Sequence, residues 1–163
     1  MIHIKTLKRR LTRFLKLPWK FKLISIIAFF LMGVVRFGIY FLPFNRISPL
    51  LGKKNISTSV EVERDVLRKA AKIGFVVESI SRFTPWESKC LVKAITAQLL
   101  LRVLRTPSTL YLGMSKDESN KLIAHAWLRC GNLIITGASE SENFKSVIHF
   151  SSLTNKEAVS VPH

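Results

Sequence analysis

The first 60 positions of this chain carry 12 Lys or Arg and no Asp or Glu. Within them lies Leu23–Val35, a run free of charge, preceded by Lys5, Lys8, Arg9, Arg10, Arg13, Lys16, Lys20 and Lys22. Any fold must bury such a run or give it an apolar partner, because water solvates it poorly. A secretory signal is the weaker reading, since the run meets Val34-Val35-Arg36-Phe37 instead of a small-x-small cleavage site. Phe21–Phe44 is long enough to span a bilayer, but Arg36 interrupts it and a mid-span charge is costly. Three placements therefore stand: packed on the domain or a partner, laid on a membrane surface, or spanning.

The remainder is more ordinary. Residues 61–163 hold 14 basic against 10 acidic side chains, so the formal net charge of +16 belongs mainly to the N-terminal third. A basic arm implies an anionic partner. Nucleic acid is disfavoured because long aliphatic runs, not exposed aromatics, interleave the charges. At 163 residues and 48% hydrophobic content, one modest domain is expected. We divide the chain into a basic apolar helical region (1–56), a folded domain (57–150) and a polar tail (151–163).

Two helices are expected between residues 57 and 105. Thr58-x-x-Glu61 has the form of a capping box, with Glu61, Glu63 and Asp65 set against the helix dipole. Val62, Val66, Ile73, Val77 and Ile80 give that helix an apolar face, with Gly74 an interior cost. Pro85 separates it from a second helix, capped by Thr84 or Ser88 and running to about Arg105. Along the second, Cys90, Ala94, Ala97, Leu101 and Leu104 form one stripe with Cys90 at its start. Strands are expected at Thr109–Leu112, Leu122–Cys130, Leu133–Thr136 and Phe144–Phe150, with Ser115–Lys121 a surface loop and Gly131-Asn132 a tight hairpin turn. Helices followed by an antiparallel sheet make the fold class α+β.

Two cysteines, Cys90 and Cys130, do not make a disulfide framework; one bridge in an exported protein is the alternative to two free thiols. A cysteine on an apolar stripe is usually packing, and a histidine in an apolar strand is usually a satisfied core residue. Their order changes the weighing. A helix that opens on Cys90, followed by a strand bearing His125, is the arrangement of cysteine–histidine nucleophilic sites. The helix N-terminus favours a thiolate, Lys89 adds to this if it points inward, and an imidazole then protonates the leaving amine. Trp127 shares the strand face of His125 and would wall the site from water. The oxyanion hole would include the Cys90 N–H. Pairing Cys130 with Leu133 carries His125 to Ala138, so the imidazole's orienting partner is sought over Thr136–Glu140: Thr136 and Glu140 are the candidates, and Asn132 is too distant. His149 is the alternative base.

The segment Phe83-Thr84-Pro85-Trp86-Glu87-Ser88-Lys89-Cys90-Leu91-Val92-Lys93-Ala94 resembles the nucleophile region of the bacterial lasso-peptide leader peptidases, members of the transglutaminase-like superfamily. Ser108-Thr109-Leu110-Tyr111-Leu112-Gly113 and Ile123-Ala124-His125-Ala126-Trp127-Leu128-Arg129 are similar to the two motifs that follow, in order and spacing, and the similarity covers roughly residues 60–150. It implies a transglutaminase-like (papain-like) α+β core with N-terminal helices, a nucleophile helix and a small antiparallel sheet. It also implies removal of a leader from a ribosomally made precursor peptide, with Cys90 as nucleophile and His125 as base. The family's usual Asp has no counterpart, leaving a dyad or an unconventional triad. The implied partners are the precursor, a separate leader-recognition protein that binds the leader as an added strand, and an ATP-dependent lasso cyclase. Hydrolysis itself calls for no cofactor, and ATP dependence stays open at this level. The resemblance implies a cytoplasmic protein, membrane-associated if residues 1–56 dock there. Acyl transfer to an amine on the same scaffold, and a non-catalytic membrane-associated binding module, are the competing readings.

Overall fold

The structure, a computed structural model, describes residues 18–152 and 158–159, with the side chains of Glu140, Ala158 and Val159 not described. The basic residues Lys5–Lys16, and the two terminal histidines His3 and His163, lie outside the described residues. The chain begins with helix α1 (Trp19–Phe41), a short helix α2 (Phe44–Ile47), a 3-10 turn (Ser48–Leu51) and two brief strands, β1 (Lys53–Lys54) and β2 (Ser57–Thr58). Helices α3 (Arg64–Ser81) and α4 (Cys90–Val103) follow. Then come β3 (Ser108–Lys116), β4 (Leu122–Cys130), β5 (Leu133–Thr136), helix α5 (Ala138–Ser141), β6 (Lys145–Ser152) and β7 (Ala158–Val159). The antiparallel sheet runs β1-β6-β3-β4-β5, and β2 pairs separately with β7.

The first helix of the expected pair starts later than its capping pattern suggests. Thr58 lies in β2, buried, where its N–H and its hydroxyl both engage the Thr109 hydroxyl at 2.9 Å. A tertiary hydrogen bond has claimed the side chain that would have capped a helix, and α3 starts only at Arg64, with Asp65 still in its first turn. Its inner face is Ala70, Ile73, Val76 and Val77. Gly74 is there because α3 crosses β5 closely: a Cβ would sit 2.5 Å from the Ile135 carbonyl oxygen. Helix propensity alone favours Gly74→Ala by about 1 kcal/mol. We expect instead a net loss, since forcing α3 off β5 costs about 1–3 kcal/mol; a lowered urea midpoint checks it.

Helix α4 is more deeply buried than a single stripe implies. Ala94, Ala97 and Leu101 are fully inside, but so are Val92, Ile95, Thr96 and Gln98, because α1 and α3 cover the side that the sheet does not. The Gln98 amide is accommodated by donating to the Phe150 carbonyl at 3.0 Å. Leu104 is 46% exposed, because the helix stops at Val103. Neither Thr84 nor Ser88 caps it; their hydroxyls bond each other at 2.8 Å, and Lys89 holds the N-cap position.

The strands β4 and β5 keep the expected bounds, and Gly131 adopts the positive φ of +57° that opens their turn. Strand β3 runs on to Lys116, so the expected loop contracts to a turn in which the Asp117 carboxylate accepts the N–H groups of Ser119 and Lys121. Cys130 pairs with Leu133 as the two-residue turn requires, but the register shifts between Leu128 and Arg129, so that Leu128 meets Thr136 and β5 ends. The expected His125–Ala138 pair does not form; Ala138 opens α5 instead. Ala126, Leu128 and Cys130 join the core beneath the helices. Cys130 is fully buried and Cys90 half-buried, and no disulfide links them.

The division at residue 56 crosses one packed core. Ala28 and Met32 of α1 have no exposed surface, α1 packs on both α3 and α4, and β1 extends the main sheet. The tail likewise contributes Ser151 and Ser152 to β6 and a strand paired with β2. The outer face of α1 stays exposed from Leu23 to Phe41.

Candidate active site

Where β5 stops at Thr136, the Leu122–Trp127 part of β4 loses its neighbour on that side. A cleft of about 580 Å³ opens there. Its walls are the start of α4 (Lys89, Cys90, Lys93), the end of α3 (Glu78, Arg82), Ala124 and His125 of β4, and the segment Ile135–Ser139. Cys90 and His125 thus line one cavity although 35 residues separate them in sequence.

Cys90 is the first residue of α4, whose leading N–H groups have no intrahelical acceptor. The helix there offers a thiolate or an oxyanion unpaired donors and the positive end of its dipole. The segment ahead of it is held from behind: the Trp86 indole lies against Phe29, ring centroids 5.1 Å apart, and covers Gly33, where a Cβ would be 3.1 Å from the ring. Around the thiol the cleft is mostly cationic. Lys93 pairs with Glu78 at 2.9 Å, and the exposed Lys89 pairs with Glu87 at 3.4 Å; these are partly solvated contacts that set local potential more than stability.

His125 is 8% exposed, and its ring sits between Trp127 and Phe144, with centroids 6.0 and 5.0 Å away. Its Nε2 donates to the Gly137 carbonyl at 3.0 Å. That hydrogen bond places the ring's other nitrogen, Nδ1, as the proton acceptor. Gly137 is suited to this approach, with a φ of +75° and no Cβ; an added one would lie 2.9 Å from Nε2. Thr136 does line the cleft, and among the described residues its buried hydroxyl has no hydrogen-bond partner; the contact to the imidazole that the structure shows comes from the next residue's main chain. The Glu140 side chain lies outside the description. Asn132 is exposed at the far turn of the hairpin. A backbone carbonyl carries no side-chain signature, which is why Gly137 escaped the sequence reading. Glu78, Arg82 and Lys93 escaped it because their approach to Cys90 depends on how two helices cross.

His149 does not line the cleft. It stacks on Tyr111 at 5.4 Å, and its buried Nε2 has no partner among the described residues. Desolvation, then the nearby Arg129 guanidinium, push its pKa below 6.5. Arg129 is itself fixed by Tyr111, Gly131 and Thr58 oxygens. The folded chain resists protonation that the unfolded chain accepts, so stability falls as pH drops below about 6.5. We expect His149→Phe to flatten that dependence, read as urea midpoints between pH 7.5 and 5.

Among the described residues no group of three His, Cys, Asp or Glu side chains clusters as metal ligands. No curated protein and no solved structure matches the chain. A family model described as the transglutaminase-like superfamily matches residues 39–149, a span that takes in the end of α1, the cleft and all of the five-stranded sheet but the last three residues of β6. With helices packed over an antiparallel sheet, and a family match across most of its length, the chain belongs to the transglutaminase-like superfamily, which includes cysteine peptidases and acyltransferases.

Proposed function

We propose that the protein is a cysteine peptidase that cleaves the leader from a lasso-peptide precursor, with Cys90 as nucleophile and His125 as base. The observation that carries the reading is the shared cleft: a thiol at a helix start and an imidazole whose ring nitrogens are already differentiated both line it. The Cys90 sulfur attacks the scissile carbonyl, and the backbone C–N bond breaks. His125 passes its proton to the amine of the departing core peptide. Water then attacks the thioester, the C–S bond breaks, and the leader leaves with a new carboxylate. The same scaffold supports acyl transfer if an amine reaches the thioester before water.

The sequence motifs around Cys90, Leu110 and His125 favour leader release over other peptidase substrates, since they resemble that family in order and spacing. A separate leader-recognition protein presents the precursor, and a lasso cyclase consumes the freed core. The test is to mix the purified protein with precursor and recognition protein, with and without ATP, and follow masses. Free leader bearing a carboxylate supports hydrolysis. A leader–amine adduct formed when amine is added supports transfer. Unchanged precursor in every mixture removes the peptidase reading.

A further inference from the structure

We propose that the outer face of α1 docks on the surface of an anionic lipid bilayer, with the helix lying in the interface and the domain remaining outside the hydrocarbon. This goes beyond the peptidase reading and does not depend on it. The helix has two unlike sides. One carries Ser25, Ala28, Met32, Gly33 and Val35, all buried against the core. On the other, every exposed position after Lys20 is apolar or aromatic: Leu23, Phe30, Val34, Phe37 and Phe41 follow one another at helical spacing, and the last four are 61–69% exposed. Leaving such a face in water is unfavourable, and monomers rarely do so over an area this long, about 35 Å of helix.

The chemistry of the face selects its occupant. A protein interface ordinarily makes about one hydrogen bond per 100–200 Å², yet the fully exposed positions of α1 after Lys20 carry one polar group, the Tyr40 hydroxyl, while Lys22 and Arg36 are half-buried at the edges of the face and Arg36 pairs with Glu87 at 3.5 Å. Hydrocarbon asks for no such donors. The flanking charge points the same way: Lys20 lies in the first turn of the helix, Arg46, Lys53 and Lys54 follow it exposed, and the first 60 residues contain no acid to offset them. An apolar aromatic face flanked by Lys and Arg is the composition of an interfacial helix on acidic headgroups. By length and composition α1 would also span a bilayer, with a mean hydropathy of 2.2. Its inner side argues against spanning, because lipid all round would strip Ala28 and Met32 from α3 and α4 and free Trp86 from Gly33.

The full-length protein is to be sedimented with phosphatidylcholine vesicles containing or lacking phosphatidylglycerol. Binding to the anionic vesicles, weakened at least tenfold by salt or by omitting phosphatidylglycerol, is expected. The triple variant Phe30→Ser, Phe37→Ser, Phe41→Ser changes exposed positions only; it is expected to keep the wild-type far-ultraviolet dichroism and lose at least tenfold in binding. A Phe30→Trp variant reads depth: quenching by lipids brominated near the headgroup exceeds quenching by those brominated near the chain end, because an interfacial helix sits about 5–10 Å deep. Failure of the wild-type protein to bind anionic vesicles overturns the proposal. So does triple-variant binding equal to wild type, deeper quenching that marks a spanning helix, or a face that binds only the recognition protein or cyclase.

Discussion

Replacing Cys90 with alanine is expected to lower leader release by at least about 10³-fold while leaving the fold in place. In the proposed mechanism the sulfur is the atom that bonds to the scissile carbonyl, so its removal deletes the step and does not merely slow it. The structural consequence is small. Cys90 stands half-buried at the first position of α4, whereas the packing of that helix rests on Val92, Ala94, Ala97 and Leu101 further along. Cys90→Ser sharpens the result by keeping shape and polarity but exchanging a good nucleophile for a hydroxyl that is poorly ionised near neutral pH. Both variants should unfold within about 1 kcal/mol of wild type, as expected for a substitution outside the packed core. Precursor processing is followed by mass, and stability by urea unfolding. If Cys90→Ala processes precursor at the wild-type rate, the chain is a binding module and the thiol is packing.

What the residues disclosed, and what they withheld, divides along the line between local and tertiary causes. Strands β4 and β5 were legible to the residue because alternation, β-branched content and a Gly at the turn all act locally. The proline before Trp86 and the one after Thr106 bracket α4 for the same reason. Thr58 misled because a capping side chain and a sheet-tying side chain look alike in sequence; only the arrival of Thr109 decides between them. Periodicity assigns Leu104 to the core, yet the chain turns out of the helix before periodicity can act. The register shift at Leu128 moved the orienting contact from a side chain at Thr136 to the carbonyl of Gly137, a change of one residue that no pattern records. In sequence, the acid-free segment is compatible with burial, a membrane surface and spanning. Helix α1 is buried on one side and exposed on the other, so its inner face answers the first placement and its outer face leaves the second as a question of partners.

His125→Gln is the second change with a large expected effect, a loss of about 10²–10⁴ in leader release. Glutamine is the informative replacement because its amide can still donate to the Gly137 carbonyl and still fill the space between Trp127 and Phe144. What it cannot do is accept the thiol proton and return it to the departing amine. A merely structural histidine would therefore tolerate glutamine better than alanine, whereas a proton carrier loses activity equally with either. The decisive comparison is the double variant. If Cys90 and His125 act as one unit in the shared cleft, Cys90→Ala with His125→Gln is no slower than Cys90→Ala alone, because the base has nothing left to deprotonate. Additive losses would instead mean that the imidazole serves precursor binding or the packing of β4, and that the proton reaches the leaving amine from elsewhere. The measurement is single-turnover leader release by all four proteins, with urea midpoints to confirm that each is folded.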